Sequence, residues 1–159
     1  MRTSNNKGFS LVELIIVIAI MAVLVGMVGM QVIPYLNNAK RSKDIQILSA
    51  IQTASVAAYS EKIEAAPTSG TMKITITAGS GGVDVYSCDV STAQEIADET
   101  KFLVSIPYVS EATERFSSKT FNGIDKIVVV FDLDTDTVEV HAYEGSDEKT
   151  QPGEITAKL

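Results

Sequence analysis

From residue 14 to residue 30 this chain has no charged and no strongly polar side chain. Phe9, Leu11 and Val12 extend the apolar stretch upstream, and residues 32–36 extend it downstream. Crossing a bilayer takes about 20 such residues in a helix, so the segment is long enough to span one. One acid, Glu13, stands inside it. A carboxylate within a span costs about 3 kcal/mol on insertion scales, and ionisable groups there are usually functional and paired. Glu13 therefore calls for a cationic partner, and that requirement organises the rest of the reading.

The N-terminus does not follow the pattern of a secretory signal. Such a signal has a basic start, an apolar core and a small-residue cleavage site after the core. Here Arg2 and Lys7 supply the basic start, but no such site follows the core. The small residue, Gly8, comes before it. Cleavage after Gly8 would leave the apolar helix attached to the mature chain.

The run Lys7-Gly8-Phe9-Ser10-Leu11-Val12-Glu13-Leu14 resembles the class III signal of type IV prepilins and their pseudopilin relatives. The resemblance implies that a prepilin peptidase of the membrane removes residues 1–8. It cuts between Gly8 and Phe9, then methylates the new Phe9 amine. The family's glutamate at the fifth mature position falls on Glu13, with an implied role in assembly. The likeness covers about the first 40 to 60 residues, and beyond them only a general plan carries over. That plan is an α+β fold in which a long N-terminal helix packs on a small antiparallel β-sheet head. The helix is transmembrane over 9–36 and amphipathic over 37–66, and the head is 67–159.

The implied function is a structural subunit that polymerises through its N-terminal helix into a helical homo-oligomer. Such filaments serve adhesion, motility or DNA uptake. The implied partners are prepilin peptidase, the pilus assembly platform with its ATPase, and the cytoplasmic membrane before assembly. The precursor would be single-pass in that membrane, and the assembled pilus would lie outside the cell. A minor pilin or pseudopilin of a secretion or competence system is an alternative. So is a membrane-tethered binding protein in which Glu13 is incidental. Glu13 speaks against the tethered protein, because a lone anchor has no reason to carry its cost.

Composition agrees with an exported, anchored protein. A length of 159 residues allows one globular domain plus an anchor. The single Cys88 excludes an intramolecular disulfide. It reads as a small hydrophobe in a strand rather than a reactive thiol. The net charge of −7 becomes −9 in side chains once Arg2 and Lys7 leave with the leader. General nucleic-acid binding, which needs a basic footprint, is not expected. Lys40, Arg41 and Lys43 form the one basic cluster, suited to lipid phosphates or to an acidic patch on a neighbouring subunit.

Residues 40–64 contain no Pro and no Gly. Ile45, Leu48, Ile51 or Gln52, Ser55 or Val56, Tyr59 and Ile63 recur at three- and four-residue spacing, an amphipathic pattern. One helix from residue 9 to about 64 would be roughly 80 Å long at 1.5 Å per residue. Gly26, Gly29 and Pro34 are its expected weak points. Each glycine costs about 1 kcal/mol against Ala, and Pro34 removes a hydrogen bond and crowds the preceding turn. The resemblance adds that pilin helices often lose order at this depth on assembly.

Breaker residues over 65–70 end the helix. Residues 73–77 and 83–86 alternate around Gly79-Ser80-Gly81-Gly82 and predict a hairpin. Thr92 with Glu95 matches a capping box, and a helix over about 93–104 would turn Ile96, Leu103 and Phe102 inward. A short helical turn is expected within 110–116. Residues 127–133 read as a strand buried on both faces, and 138–142 as its half-exposed partner, with 134–136 as the turn. A sheet of three to four strands follows, with His141 facing solvent.

No metal or other cofactor is expected. Asp132, Asp134 and Asp136 have calcium-loop spacing, but Thr137 replaces the required Gly and Tyr143 the chelating Glu. Asp supplying local turn hydrogen bonds is the favoured reading. The chain shows no nucleophile–base set, so an enzyme is not expected.

Overall fold

The computed structural model describes residues 9–104, 107–151 and 153–159. Residues 1–8, and with them the Gly8 side of the expected cleavage site, lie outside the described residues. The chain divides into two compact units, one ending at Asn38 and one covering Ala39–Leu159.

A single helix, α1 (Leu11–Glu61), passes from the first unit into the second. It runs without interruption through Gly26, Gly29 and Pro34. The expected weak points do not interrupt it in this single chain. The one bond lost at Pro34 is local to one turn, the glycines keep their N–H groups, and the ladder on both sides holds the helix. All large apolar side chains from Phe9 to Leu36 are exposed. An 18-residue window of mean hydropathy 3.0 makes α1 apolar enough to cross a membrane.

The second unit is the α+β head. A 3₁₀ turn (Ile63–Ala65) follows α1. Strands β1 (Thr71–Ala78) and β2 (Asp84–Cys88) form the expected antiparallel hairpin. A second 3₁₀ turn (Ser91–Ala93) leads into α2 (Gln94–Val104), and α3 (Ala112–Arg115) is one short turn. Strands β3 (Lys126–Asp132) and β4 (Thr137–Glu144) follow, then the short β5 (Asp147–Glu148) and β6 (Thr156–Lys158). The order is β2-β1-β3-β4, all antiparallel. Both β5 and β6 pair with the outer side of β4, at its two ends.

One face of this sheet packs on α1. Leu48, Ile51 and Ala58 of the helix join Ile74, Ile76, Ile127, Val129, Phe131 and Val140 in one buried cluster. The Tyr59 ring stacks on Phe131 at 5.5 Å between centroids. Gln52 Nε2 donates to the Val138 carbonyl at 2.8 Å, which satisfies a buried amide from the helix.

Three sequence expectations need correction. Ile63 is exposed, because the helix has given way to a 3₁₀ turn by that point. On α2, Ile96, Ala97 and Thr100 point inward, whereas Phe102 and Leu103 are exposed. Strand β3 alternates: Ile127, Val129 and Phe131 are buried, and Val128 and Val130 only half so. Its second face carries no further layer, so the aliphatic run was a poor guide to two-sided burial.

In β2, Asp84 and Tyr86 are buried, while Val85 and the preceding Val83 are exposed. Register explains the choice. Tyr86 stands opposite Ile76 and Cys88 opposite Ile74, and both isoleucines face the core. Residues paired across strands share a face, so Tyr86 must follow them inward.

Candidate functional site

Glu13 lies in the first turn of α1. Its Oε2 accepts the Ser10 backbone N–H at 2.9 Å. Ser10 precedes the first helical residue, so it is the N-cap and Glu13 is the third helical position. The bond is the reach-back half of a capping box, in which an acid satisfies one of the orphan donors at a helix start. The serine–glutamate spacing was visible in Ser10-Leu11-Val12-Glu13, but only the pair Thr92 and Glu95 was read that way. At that second place α2 begins instead from a 3₁₀ turn whose cap, Val90, makes no side-chain bond.

The N–H that Glu13 accepts belongs to the Phe9–Ser10 peptide bond. The carboxylate is thus held one residue from the nitrogen that becomes an amine if the chain is cut before Phe9. Phe9 itself is 90% exposed. Along the same helix no other acid occurs before Asp44, and no Lys or Arg between Lys7 and Lys40. An acid, the nearby Phe9 nitrogen and a long exposed apolar surface are the components of this candidate site.

The basic cluster does not behave as one group. Arg41 Nη2 reaches Glu154 Oε1 at 2.6 Å, and its guanidinium lies 5.8 Å from the Phe121 ring centroid. Arg41 is therefore engaged by its own head, with neither a lipid phosphate nor a neighbouring subunit needed to pair it. Lys43 remains exposed.

Two buried carboxylates in the head escaped the sequence reading. Asp44 is fully buried on α1, and its oxygens accept the Ser117 N–H at 3.0 Å and the Ser118 N–H at 2.8 Å. Asp84 is 2% exposed and accepts three backbone N–H groups, from Tyr108, Val109 and Ser110. The distances are 2.5, 3.0 and 2.6 Å. Each acid ties a loop to a regular element. The available signal was an acid four residues before Leu48 on the apolar face, and an acid within the strand pattern.

The remaining candidates resolve into structural roles. Asp132 Oδ1 accepts the Asp134 and Thr135 N–H groups, and Asp134 Oδ1 accepts the Gly70 N–H. The aspartates thus make the turn bonds expected of them, with Asp136 at φ 54°. No cluster of three or more His, Cys, Asp or Glu side chains among the described residues could hold a metal ion. Cys88 is half-buried in β2, and burial pushes its thiol up, which lowers the thiolate fraction and with it reactivity.

His141 is less open to solvent than expected, with 17% of its side chain exposed. Its Nδ1 lies 2.6 Å from Glu148 Oε1 and its Nε2 3.4 Å from Glu139 Oε2. Both ring nitrogens face carboxylates. The hydrogen bond to His141 holds the Glu148 carboxyl below its ordinary value, aided by Thr150. A lowered value means that this contribution to stability is present above the unfolded value and is lost as pH falls through the folded one. Acidification below the ordinary carboxylate range should therefore loosen β5. The Lys149 amide, which donates to the Ala142 carbonyl at 2.8 Å, should exchange faster there beyond its intrinsic pH dependence. His141→Ala should return Glu148 towards the ordinary value by NMR titration. An unchanged Glu148 titration in that variant would refute the coupling.

The family described as the prokaryotic N-terminal methylation motif matches this chain over residues 3–29. That span contains Phe9, Ser10 and Glu13, and it is the class III signal that marks type IV pilins and pseudopilins. Proteins with this motif are structural subunits rather than a family of enzymes, and the signal implies processing by a prepilin peptidase. No curated protein and no solved structure matches the chain.

Proposed function

We propose that this chain, a type IV pilin or pseudopilin by its N-terminal motif, is a repeating structural subunit of a surface pilus. The observation that carries this reading is the placing of Glu13. It is the one acid of the apolar segment, held on the Ser10 N–H, one residue along the chain from the Phe9 nitrogen, on a helix whose apolar side chains are exposed on every side. In the membrane, lipid covers that surface. In a filament, the helices of other copies cover it, and the Phe9 amine of a neighbour supplies the cation that Glu13 lacks. Only one axial offset brings amine and carboxylate together, so the pair sets register as well as stabilising contact. Assembly into the core also gives Gly26, Gly29 and Pro34 new backbone partners, and any loss of helical order belongs there.

On this reading the chain is no enzyme and needs no cofactor, and its partners are copies of itself and the assembly machinery. The precursor resides in the cytoplasmic membrane and the filament outside it. The mature chain is expected to start at Phe9 with an N-methylated amine, as read by intact mass and N-terminal sequencing of sheared surface material. Gly8→Leu should leave unprocessed precursor in the membrane. A mature start near residue 31 or beyond contradicts the proposal, because the apolar helix would then be lost. Abundance in sheared filaments separates a main subunit from a minor one.

A further inference from the structure

Asn122 and Gly123 make the turn ahead of β3, with Gly123 at φ 82°. The fold requires glycine there, since a Cβ would meet Glu144 Oε1 at 2.8 Å. Asn122 is exposed. Among the described residues its carboxamide has no hydrogen-bond partner, and the Gly123 N–H donates to none. Neither group is tied down, and no side chain at 123 shields the Gly123 nitrogen from the Asn122 Cγ. Asn37 and Asn38 give the contrast inside the same chain. Both lie within α1, where the next N–H belongs to the helix ladder and the next residue carries a side chain.

The ends of this turn are fixed. Phe121 and Ile124, on either side of it, are buried. Asp125 donates its N–H to the Tyr143 carbonyl at 3.0 Å and accepts the Gly145 N–H at 2.9 Å. Phe121 also belongs to the fastening of α1. The Arg41 guanidinium lies 5.8 Å from its ring centroid, and its N–H is accepted by Ser118, whose own amide is held by Asp44. A longer main chain between residues 121 and 124 would be felt at α1.

We propose that Asn122 is a self-modifying site, at which the side-chain amide converts to aspartate and isoaspartate without an enzyme. The Gly123 nitrogen attacks the Asn122 Cγ, a step made unimolecular by their adjacency. The N–Cγ bond forms and closes an imide ring. The Cγ–Nδ2 bond breaks, and the Gly123 amide proton leaves with ammonia. Water then opens the imide at either carbonyl. Opening at Cγ gives aspartate on the original main chain. Opening at the α-carbonyl leaves Gly123 joined through Cγ, an isoaspartate with one more methylene in the main chain. Both products add a negative charge to an exposed turn. Only the isoaspartate lengthens the path between Phe121 and Ile124, so it alone strains the loop that holds α1. On the pilus reading, assembled copies lie outside the cell, beyond resynthesis, and the modified fraction rises with the age of a filament.

The test incubates the full chain in detergent micelles at neutral and at mildly alkaline pH. Cleavage after Lys119 and Lys126 releases residues 120–126 for mass spectrometry. Asn122 should convert at least about tenfold faster than Asn37 or Asn38. Its rate should rise with pH, because the attacking nitrogen must lose its proton. Asn122→Gln should stay unmodified. Material rich in isoaspartate should exchange the Ser117 and Ser118 amides faster than Asn122→Asp, which should match fresh wild type. An Asn122 that stays an amide in the folded chain, while residues 120–126 convert as a free peptide, overturns the site. Conversion to aspartate without isoaspartate overturns the imide route, and unchanged Ser117 and Ser118 exchange overturns the link to α1. These readouts need neither cleavage at Phe9 nor filaments, so their failure leaves the pilus reading standing. Failure of the pilus reading removes only the accumulation with filament age.

Discussion

Cells carrying Glu13→Ala should process and insert the subunit normally yet build few or no filaments. The substitution removes the one carboxylate that can meet the Phe9 amine, and that amine would then be buried without a counter-charge. Breaking one partner from a buried pair typically costs about 3–5 kcal/mol, far more than a surface pair contributes. Summed over every subunit contact in a filament, that is enough to stop growth. The Ser10 bond adds a refinement. Glu13→Ala also deletes the reach-back cap, whereas Glu13→Gln can retain it, because either side chain serves at that position. Filament loss in both variants assigns the effect to charge, and loss in alanine alone assigns it to the helix start. Normal filament numbers in Glu13→Ala cells, counted by electron microscopy, would remove Glu13 from assembly altogether.

Asp84→Ala should be the most damaging single change in the head. Three N–H groups, that of Val109 buried and those of Tyr108 and Ser110 partly so, would lose their acceptor together. An unsatisfied buried donor costs about 1–3 kcal/mol, so the loss is of the order of 3–6 kcal/mol. A domain of ordinary stability has about 5–15 kcal/mol in all. Thermal unfolding should therefore shift down by ten degrees or more, on the order expected from about 4–8 °C per kcal/mol in small domains. Asp84→Asn should fall between, since one carboxylate oxygen becomes a donor facing other donors. A loss under about 1 kcal/mol in Asp84→Ala would mean that water or a rearranged loop replaces the carboxylate.

The elements that sequence revealed are those with a strong period or a strong contrast. The apolar run and the three- and four-residue spacing marked α1, and alternation marked β1 and β4. Glu13 stood out as charge against an apolar background, which is why the candidate site could be read directly. The short β5 and β6 gave no such signal, because two or three edge residues carry no pattern. The roles of Asp44, Asp84 and Arg41 were not legible in the sequence, for a shared reason. A charged residue is assigned to the surface unless its partner can be seen, and here the partners lie 73–113 positions away for Arg41 and Asp44 and, for Asp84, are loop amides 24 to 26 positions away.

The way α1 is fastened inside the head bears on how the subunit carries load. Between residues 41 and 59 the helix is held by the Arg41–Glu154 pair, the Asp44 bonds to Ser117 and Ser118, the Gln52 bond to Val138 and the Tyr59 stack on Phe131. These attachments are spread along about five turns of one continuous rod. A pull along that rod strains them side by side, as shear, and no single contact bears the whole force. Detaching the helix sideways would break them in succession, as peeling does. The head is thus fastened to withstand a pull along the helix axis better than one across it.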